Sequence, residues 1–184
     1  IGLWQKDDKA WLEIDPELFG RPLFFSVNLA RGLGENWIYG GMMGRSHLVE
    51  FRKVGTNIQL VARNERHFAK AGTPEARAVA EAFSASLLAS APIASQPHSE
   101  RKSVLIEANA LLFGDIPGAY AYLDRTYRQP YSFDSRNSSF GTLRTSPDAV
   151  AIQVNAHYAV SRLVQPPTNF SPGANVPSVP TTLP

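Results

Sequence analysis

The sequence predicts an α+β fold, predominantly antiparallel sheet in meander order, with one helix over about 74–84 and a short one over about 118–126. Three observations carry this. Apolar and polar residues alternate in short runs across the first half. A capped apolar stripe at helical spacing follows Thr73. Glycine and Asp-Pro signals separate the runs.

In chain order, Leu3–Lys6 is a strand that Asp7-Asp8 turns into a second one, Ala10–Ile14, and Asp15-Pro16 ends it. Arg21–Leu29 sets Leu23, Phe25, Val27 and Leu29 on one face, as a half-buried strand requires. The strongest hairpin runs from His47 to Ala62 about Val54-Gly55-Thr56-Asn57, where glycine supplies a residue tolerant of positive φ. Between these strands, Gly32–Gly44 holds five glycines with Trp37, Tyr39, Met42 and Met43, and reads as an apolar loop. Thr73 caps the main helix, Pro74 suits its first position and Glu75 complements the dipole. Ala76, Val79, Ala80, Phe83 and Leu87 form its stripe. Extended segments are expected at Leu87–Ile93 and Ser103–Glu107, with a turn at Gln96–Glu100 between them. A last strand is expected over Ala149–Tyr158.

The chain has 184 residues, one domain's worth, and 43% of them are hydrophobic, enough for a core without staples. It has no cysteine, which excludes a disulfide scaffold, a thiolate zinc site and a cysteine nucleophile. Eighteen basic against 16 acidic residues leave a net charge of +2. Arg21, Arg31 and Arg45 are too dispersed to track a phosphate backbone, so nucleic acid is not an expected partner. No run approaches the roughly 18 apolar residues of a membrane span. From Gln165 to Pro184, six of twenty residues are proline, which excludes helix and central strand. The expected division is a β-rich domain over 1–164 and a proline-rich linker or strap over 165–184. A chain that opens on Ile1 without an initiator Met and stops in such a segment is expected to be a piece of a longer protein.

Motifs for chemistry are sparse. His47, His67, His98 and His157 show no H-E-x-x-H spacing. Gly40-Gly41-Met42-Met43-Gly44-Arg45-Ser46 has too short a glycine spacing and an arginine where a phosphate loop needs lysine. Gly32-Leu33-Gly34 lacks a third glycine, and no G-x-S-x-G elbow occurs. Ser99-Glu100-Arg101-Lys102 reads as a solvated charge cluster. Asp115, Asp124, Asp134 and Asp148 read as turn and cap residues. No residue is assigned a catalytic, cofactor-binding or metal-binding role.

Four stretches together resemble a known family. They are Val49-Glu50-Phe51-Arg52 through Leu60-Val61-Ala62-Arg63-Asn64, Ala82 through Ile93, Val104–Ala108 with Leu112-Phe113-Gly114-Asp115, and Tyr131 through Ser138. The chain resembles, from about Leu3 to Tyr158, the N-terminal module of large bacterial zinc-dependent metallopeptidases. That module is a domain of unknown function ahead of a metzincin-like catalytic domain. The resemblance implies an exported parent, periplasmic or extracellular, that hydrolyses peptide bonds in protein or peptide substrates. Its zinc ligands lie in a downstream H-E-x-x-H-x-x-G-x-x-H that this chain does not contain, so no catalytic residue carries over.

The expected role is therefore a non-catalytic accessory segment packed on the downstream catalytic domain. Candidate contact residues are Trp37, Tyr39, Met42 and Met43 in the apolar loop, with Pro166 and Pro167 in the tail, because exposed apolar patches mark interfaces. The competing expectation is a free-standing module for peptide or glycan, using a sheet edge or a platform of Trp4, Trp11 and Trp37. A third, an autonomous hydrolase built on dispersed His47, His67 or His157, has the least sequence support.

Overall fold

The structure, a computed structural model, describes residues 1–33 and 38–162 and the backbone of residues 182–183. Strand β1 (Gly2–Lys6) turns into β2 (Lys9–Ile14) through Asp7 at φ 54°, a left-handed position that aspartate tolerates better than most residues. A 3₁₀ turn at Pro16–Leu18 leads to β3 (Leu23–Asn28), β4 (Met43–Val54) and β5 (Asn57–Ala62). Helix α1 (Pro74–Ala82), β6 (Ser86–Pro92), β7 (Val104–Glu107), α2 (Ala108–Leu112) and α3 (Ala119–Tyr127) follow. The chain continues through β8 (Tyr131–Phe133), β9 (Ser139–Thr145), β10 (Val150–Asn155) and β11 (Tyr158–Val160), and β12 spans Thr182–Leu183. The fold is thus a β-rich α+β arrangement of antiparallel sheets.

Two sheets build the main core. One has the order β1-β2-β7, the other the meander β3-β4-β5-β6. A bridge between Ile93 and Ile106 joins them, and Ala94 N–H donates to Leu105 O at 2.8 Å beside it. A second tie runs from Phe19 to Phe51. Alternation sends Ala10, Leu12 and Ile14 of β2, Val49 and Phe51 of β4, Ile58 and Leu60 of β5, and Val104 and Ile106 of β7 to one interior. Helix α2 closes it with Ala108 and Leu111, and the β9–β10 hairpin packs Phe140, Leu143, Val150 and Ile152 against it.

A smaller core joins Leu123 of α3 to Tyr131, Tyr158 and Val160 of the β12-β11-β8 sheet, with Leu33 and Ile38 packed against it. Leu33 N–H donates to Ile38 O at 2.8 Å, so the base of the predicted apolar loop is anchored on this second core.

Several expectations are corrected. Helix α1 ends at Ala82, two residues before the predicted end, because Phe83 turns aside and stacks on His67 with centroids 3.8 Å apart. Leu87 belongs to β6, not to the helical stripe, and no residue of α1 is buried. The short helix expected over about 118–126 is present as Ala119–Tyr127, with Gly118, left-handed at φ 73°, just outside it. Met43 and Gly44, placed in the loop by sequence, begin β4, with Met43 paired to Asn28. The strand expected over Ala149–Tyr158 is two strands broken at Ala156-His157, where His157 N–H donates to Ser138 Oγ at 3.0 Å. Helix α2 and strands β8 and β9 were not expected. Within the proline-rich segment, Thr182–Leu183 pairs with β11 as an outer strand, a position compatible with flanking proline.

Candidate functional site

The outward face of the β1-β2-β7 sheet carries a dense polar cluster. Register sets Gly2 opposite Glu13 and Trp4 opposite Trp11. On β7, Glu107 stands opposite Trp11 and Leu105 opposite Glu13. Opposed residues share a face, so two tryptophans and two glutamates, Glu13 and Glu107, stand on the side away from Ala10, Leu12 and Ile14. Gly2 leaves room for this: a Cβ there would lie 2.9 Å from Glu13 Cβ and 3.3 Å from Trp4 Nε1. The Trp4 indole reaches across Gly2 and donates its N–H to Glu13 Oε2 at 2.8 Å.

The other carboxylate oxygen, Oε1, accepts from Ser103 Oγ at 2.5 Å and from Arg101 Nε and Nη2 at 3.1 and 2.8 Å. The Ser103 hydrogen bond, above all, holds the Glu13 carboxyl below its ordinary value. Burial opposes this, and the Trp4 and Arg101 hydrogen bonds with the Arg101 charge add to the lowering. A carboxylate with both oxygens already accepting is a poor general base. Its effect is to tie β1, β2 and the segment before β7 together.

A cleft of about 370 Å³ opens beside this cluster, bordered by Trp4, Glu13, Ser95, Gln96, His98 and Arg101. The backbone N–H groups of Glu100 and Arg101 both point at His98 Nδ1, at 3.2 and 3.3 Å. That nitrogen must accept, which places the ring proton on Nε2. The expected solvated cluster at 99–102 is corrected for Arg101, whose guanidinium is engaged on Glu13. Lys102 keeps to the surface, with Nζ on Ser99 O at 2.6 Å.

Two further carboxylates are structural by the same reasoning. Asp115 accepts from Ala119 and Tyr120 N–H at 2.7 and 3.1 Å, satisfying the first turn of α3, and from Tyr158 Oη at 2.7 Å. Burial first, and then the Asp115 bond and charge, push the Tyr158 phenol far above its ordinary range. Asp134 accepts from Asn137 Nδ2 at 2.6 Å and Arg136 N–H at 3.1 Å, and its Oδ2 lies 3.1 Å from His157 Nδ1. The Asn137 bond is the largest cause that lowers the Asp134 carboxyl. Ser138 Oγ donates to the Asp134 carbonyl rather than facing the imidazole, so this trio is not arranged as a nucleophile, base and orienter.

The four histidines do not converge. His47 lies in β4, His67 stacks on Phe83, His98 borders the cleft and His157 lies against Asp134 in the turn after β8. Among the described residues no group of three or more His, Asp or Glu could hold a metal. With Glu13, Asp115 and Asp134 each taken up by neighbours, the side chains described do not fit a zinc centre. Of the candidate contact residues, Tyr39, Met42 and Met43 are exposed at 46%, 40% and 74%, all at one end of the β3–β4 ribbon. Trp37, Pro166 and Pro167 lie outside the described residues.

Sequence reasoning missed Glu13, Arg101 and His98 as a group. Glu13 is 88 residues from Arg101 and 90 from Ser103 in the chain, so no local spacing signals those partners. The pairing of Trp4 with Trp11 was readable, since a two-residue turn at Asp7-Asp8 fixes that register.

The fold and site together define a β-rich domain whose strongest polar clusters serve its own architecture. Residues 41–183 match the family described as Domain of unknown function (DUF5117), and the chain belongs to that family. No curated protein and no solved structure matches it.

Proposed function

We propose that this domain is a non-catalytic N-terminal accessory segment of an exported bacterial zinc-dependent metallopeptidase. In this reading, a downstream H-E-x-x-H domain hydrolyses peptide bonds in a protein or peptide substrate, and the present domain packs against it. The observation that carries the docking is the apolar exposure along one ribbon. Phe24 on the outer strand β3 is 76% exposed and Met43 74%, with Tyr39 and Met42 beside the ribbon's end. Exposed apolar patches mark interaction surfaces. The stretches behind the resemblance fall on β4–β5, on β6, on β7 with α2 and Asp115, and on β8 with the Asp134 turn. Those segments contribute residues to both cores and carry the Asp115 and Asp134 turns, so the resemblance is one of framework.

The test is made on the intact parent protein. Zinc should be present at about one equivalent, with peptidase activity, and Phe24→Ser with Met43→Ser should loosen the contact between the domain and the catalytic part in limited proteolysis. A parent chain without H-E-x-x-H or without zinc removes the peptidase reading. Unchanged proteolytic protection in the double variant removes the ribbon as the contact.

A further inference from the structure

We propose that the outward face of the β1-β2-β7 sheet is a binding face for a neutral carbohydrate chain, with Trp4 and Trp11 as the platform and the cleft residues as its hydrogen-bonding rim. This assignment stands whether or not the domain belongs to a peptidase. Trp4 is 53% exposed, although indoles in strands usually turn inward. Its N–H is fixed on Glu13 across a glycine, so the ring is held in place and the side turned from the sheet is left open. Trp11, half-buried, lies directly across the pair from it on the same face, which adds a second, partly exposed aromatic surface at cross-strand spacing. Flat apolar surfaces of this size suit the C–H faces of consecutive sugar rings, while the polar tips lie to the side.

The rim supplies what hydroxyl groups need. Arg101 places two of its five N–H groups on Glu13, and the rest have no partner among the described residues. His98 offers Nε2–H, and Ser95 Oγ accepts from Leu105 N–H at 2.9 Å while keeping its own proton to donate. Gln96 brings both a donor and an acceptor to the cleft. Charge selects the class. Glu13 neutralises Arg101 at 2.8 Å and its anion stands in the same cleft, which disfavours a carboxylate or phosphate ligand. Strand addition by a peptide would use the outer strand β1 rather than this face, because β2 is already paired on both sides.

The experiment titrates the nitrogen-labelled domain with cellohexaose, xylohexaose, mannohexaose and maltohexaose, and with an uncharged acetylated hexapeptide as comparison. The chain has three tryptophans, so three indole N–H resonances are followed. The expected result is saturable shifts of the Trp4 and Trp11 indoles with at least one hexasaccharide. Affinity should fall at least about tenfold in Trp11→Ala and severalfold in Gln96→Ala, while Trp4→Phe, which keeps an aromatic ring, loses less than Trp4→Ala. Should either alanine variant fail to fold, the wild-type indole shifts decide the matter. No shift with any sugar up to about 10 mM, weaker than any useful affinity, overturns the proposal. So does a response to the peptide alone, or sugar-induced shifts that spare both indoles.

Discussion

Replacing Glu13 by glutamine removes one charge and one acceptor oxygen while keeping the side chain's shape, and so isolates the hydrogen bonds that converge there. Bonds to a charged partner contribute about 1.5–3 kcal/mol when the loss is complete. Trp4 and the Arg101 side chain, each 53% exposed, regain water when released, which discounts their share. Ser103 is 3% exposed and cannot do so. It loses its charged acceptor, and the new amide must also turn its NH₂ toward a donor. The net cost is about 2 kcal/mol, or roughly 4–8 °C in melting temperature for a domain of this size.

The pH dependence follows from the sign of the shift. Folding lowers the Glu13 carboxyl below its ordinary value near 4.5. The clamp's contribution is therefore complete above about 4.5 and fades as pH falls through the lowered folded value. Differential scanning calorimetry of wild type and Glu13→Gln from neutral pH to about pH 3 should show the gap narrowing in that acid range. A gap below about 1 °C at neutral pH, or one of equal size across the range, refutes the reasoning.

Tyr158→Phe should cost about 1 kcal/mol by removing the bond to Asp115. In the wild type, fewer than the six tyrosines should ionise before unfolding in an ultraviolet titration. The folded state keeps the Tyr158 proton that the unfolded chain releases above about 10, so stability should fall as pH rises past that value. Six titrating tyrosines in the folded domain would contradict this. Gly44→Ala drives a Cβ to within 2.6 Å of the Val27 carbonyl oxygen, whereas Gly141→Ala meets Gln153 Cδ at 2.8 Å. Backbone must move in the first case and a swinging side chain in the second. Gly44→Ala should therefore destabilise by about 1–3 kcal/mol and Gly141→Ala by much less, as denaturant titration would read.

The parts of the fold legible in sequence are those set by neighbours. The β1–β2 and β4–β5 hairpins follow from alternation and a turn residue. The start of α1 follows from Thr73, whose Oγ1 accepts from Ala76 N–H at 3.2 Å, with Pro74 and Glu75 behind it. Helix α2 escaped because five residues do not complete a helical pattern and Glu107 makes no side-chain cap. Strand β9, Ser-Phe-Gly-Thr-Leu-Arg-Thr, carries a glycine and polar residues that look like loop until Phe140 and Leu143 meet the main core. The break at Ala156-His157 depends on Ser138, a residue from another strand's turn. In the candidate site, aspartates in turns were readable as caps, while the Glu13 cluster depends on a pairing of distant segments.

The seam between β2 and β7 also bears on how the chain reaches its native state. Strands β3 to β6 are successive neighbours in one meander, so each pairing joins segments adjacent in chain order, the β4–β5 hairpin through the shortest connection. Seating β2 on β7 instead brings together segments on either side of that whole meander, at a greater loop-closure cost. This topology favours a sequence in which the four-stranded meander assembles first and the β1–β2 hairpin docks late. Contacts made after the rate-limiting barrier govern how fast a protein opens, not how fast it closes. The Glu13 clamp then acts as a latch on the unfolding arm of the chevron, and the domain's kinetic persistence is held on the outward face of that sheet rather than in the middle of its core.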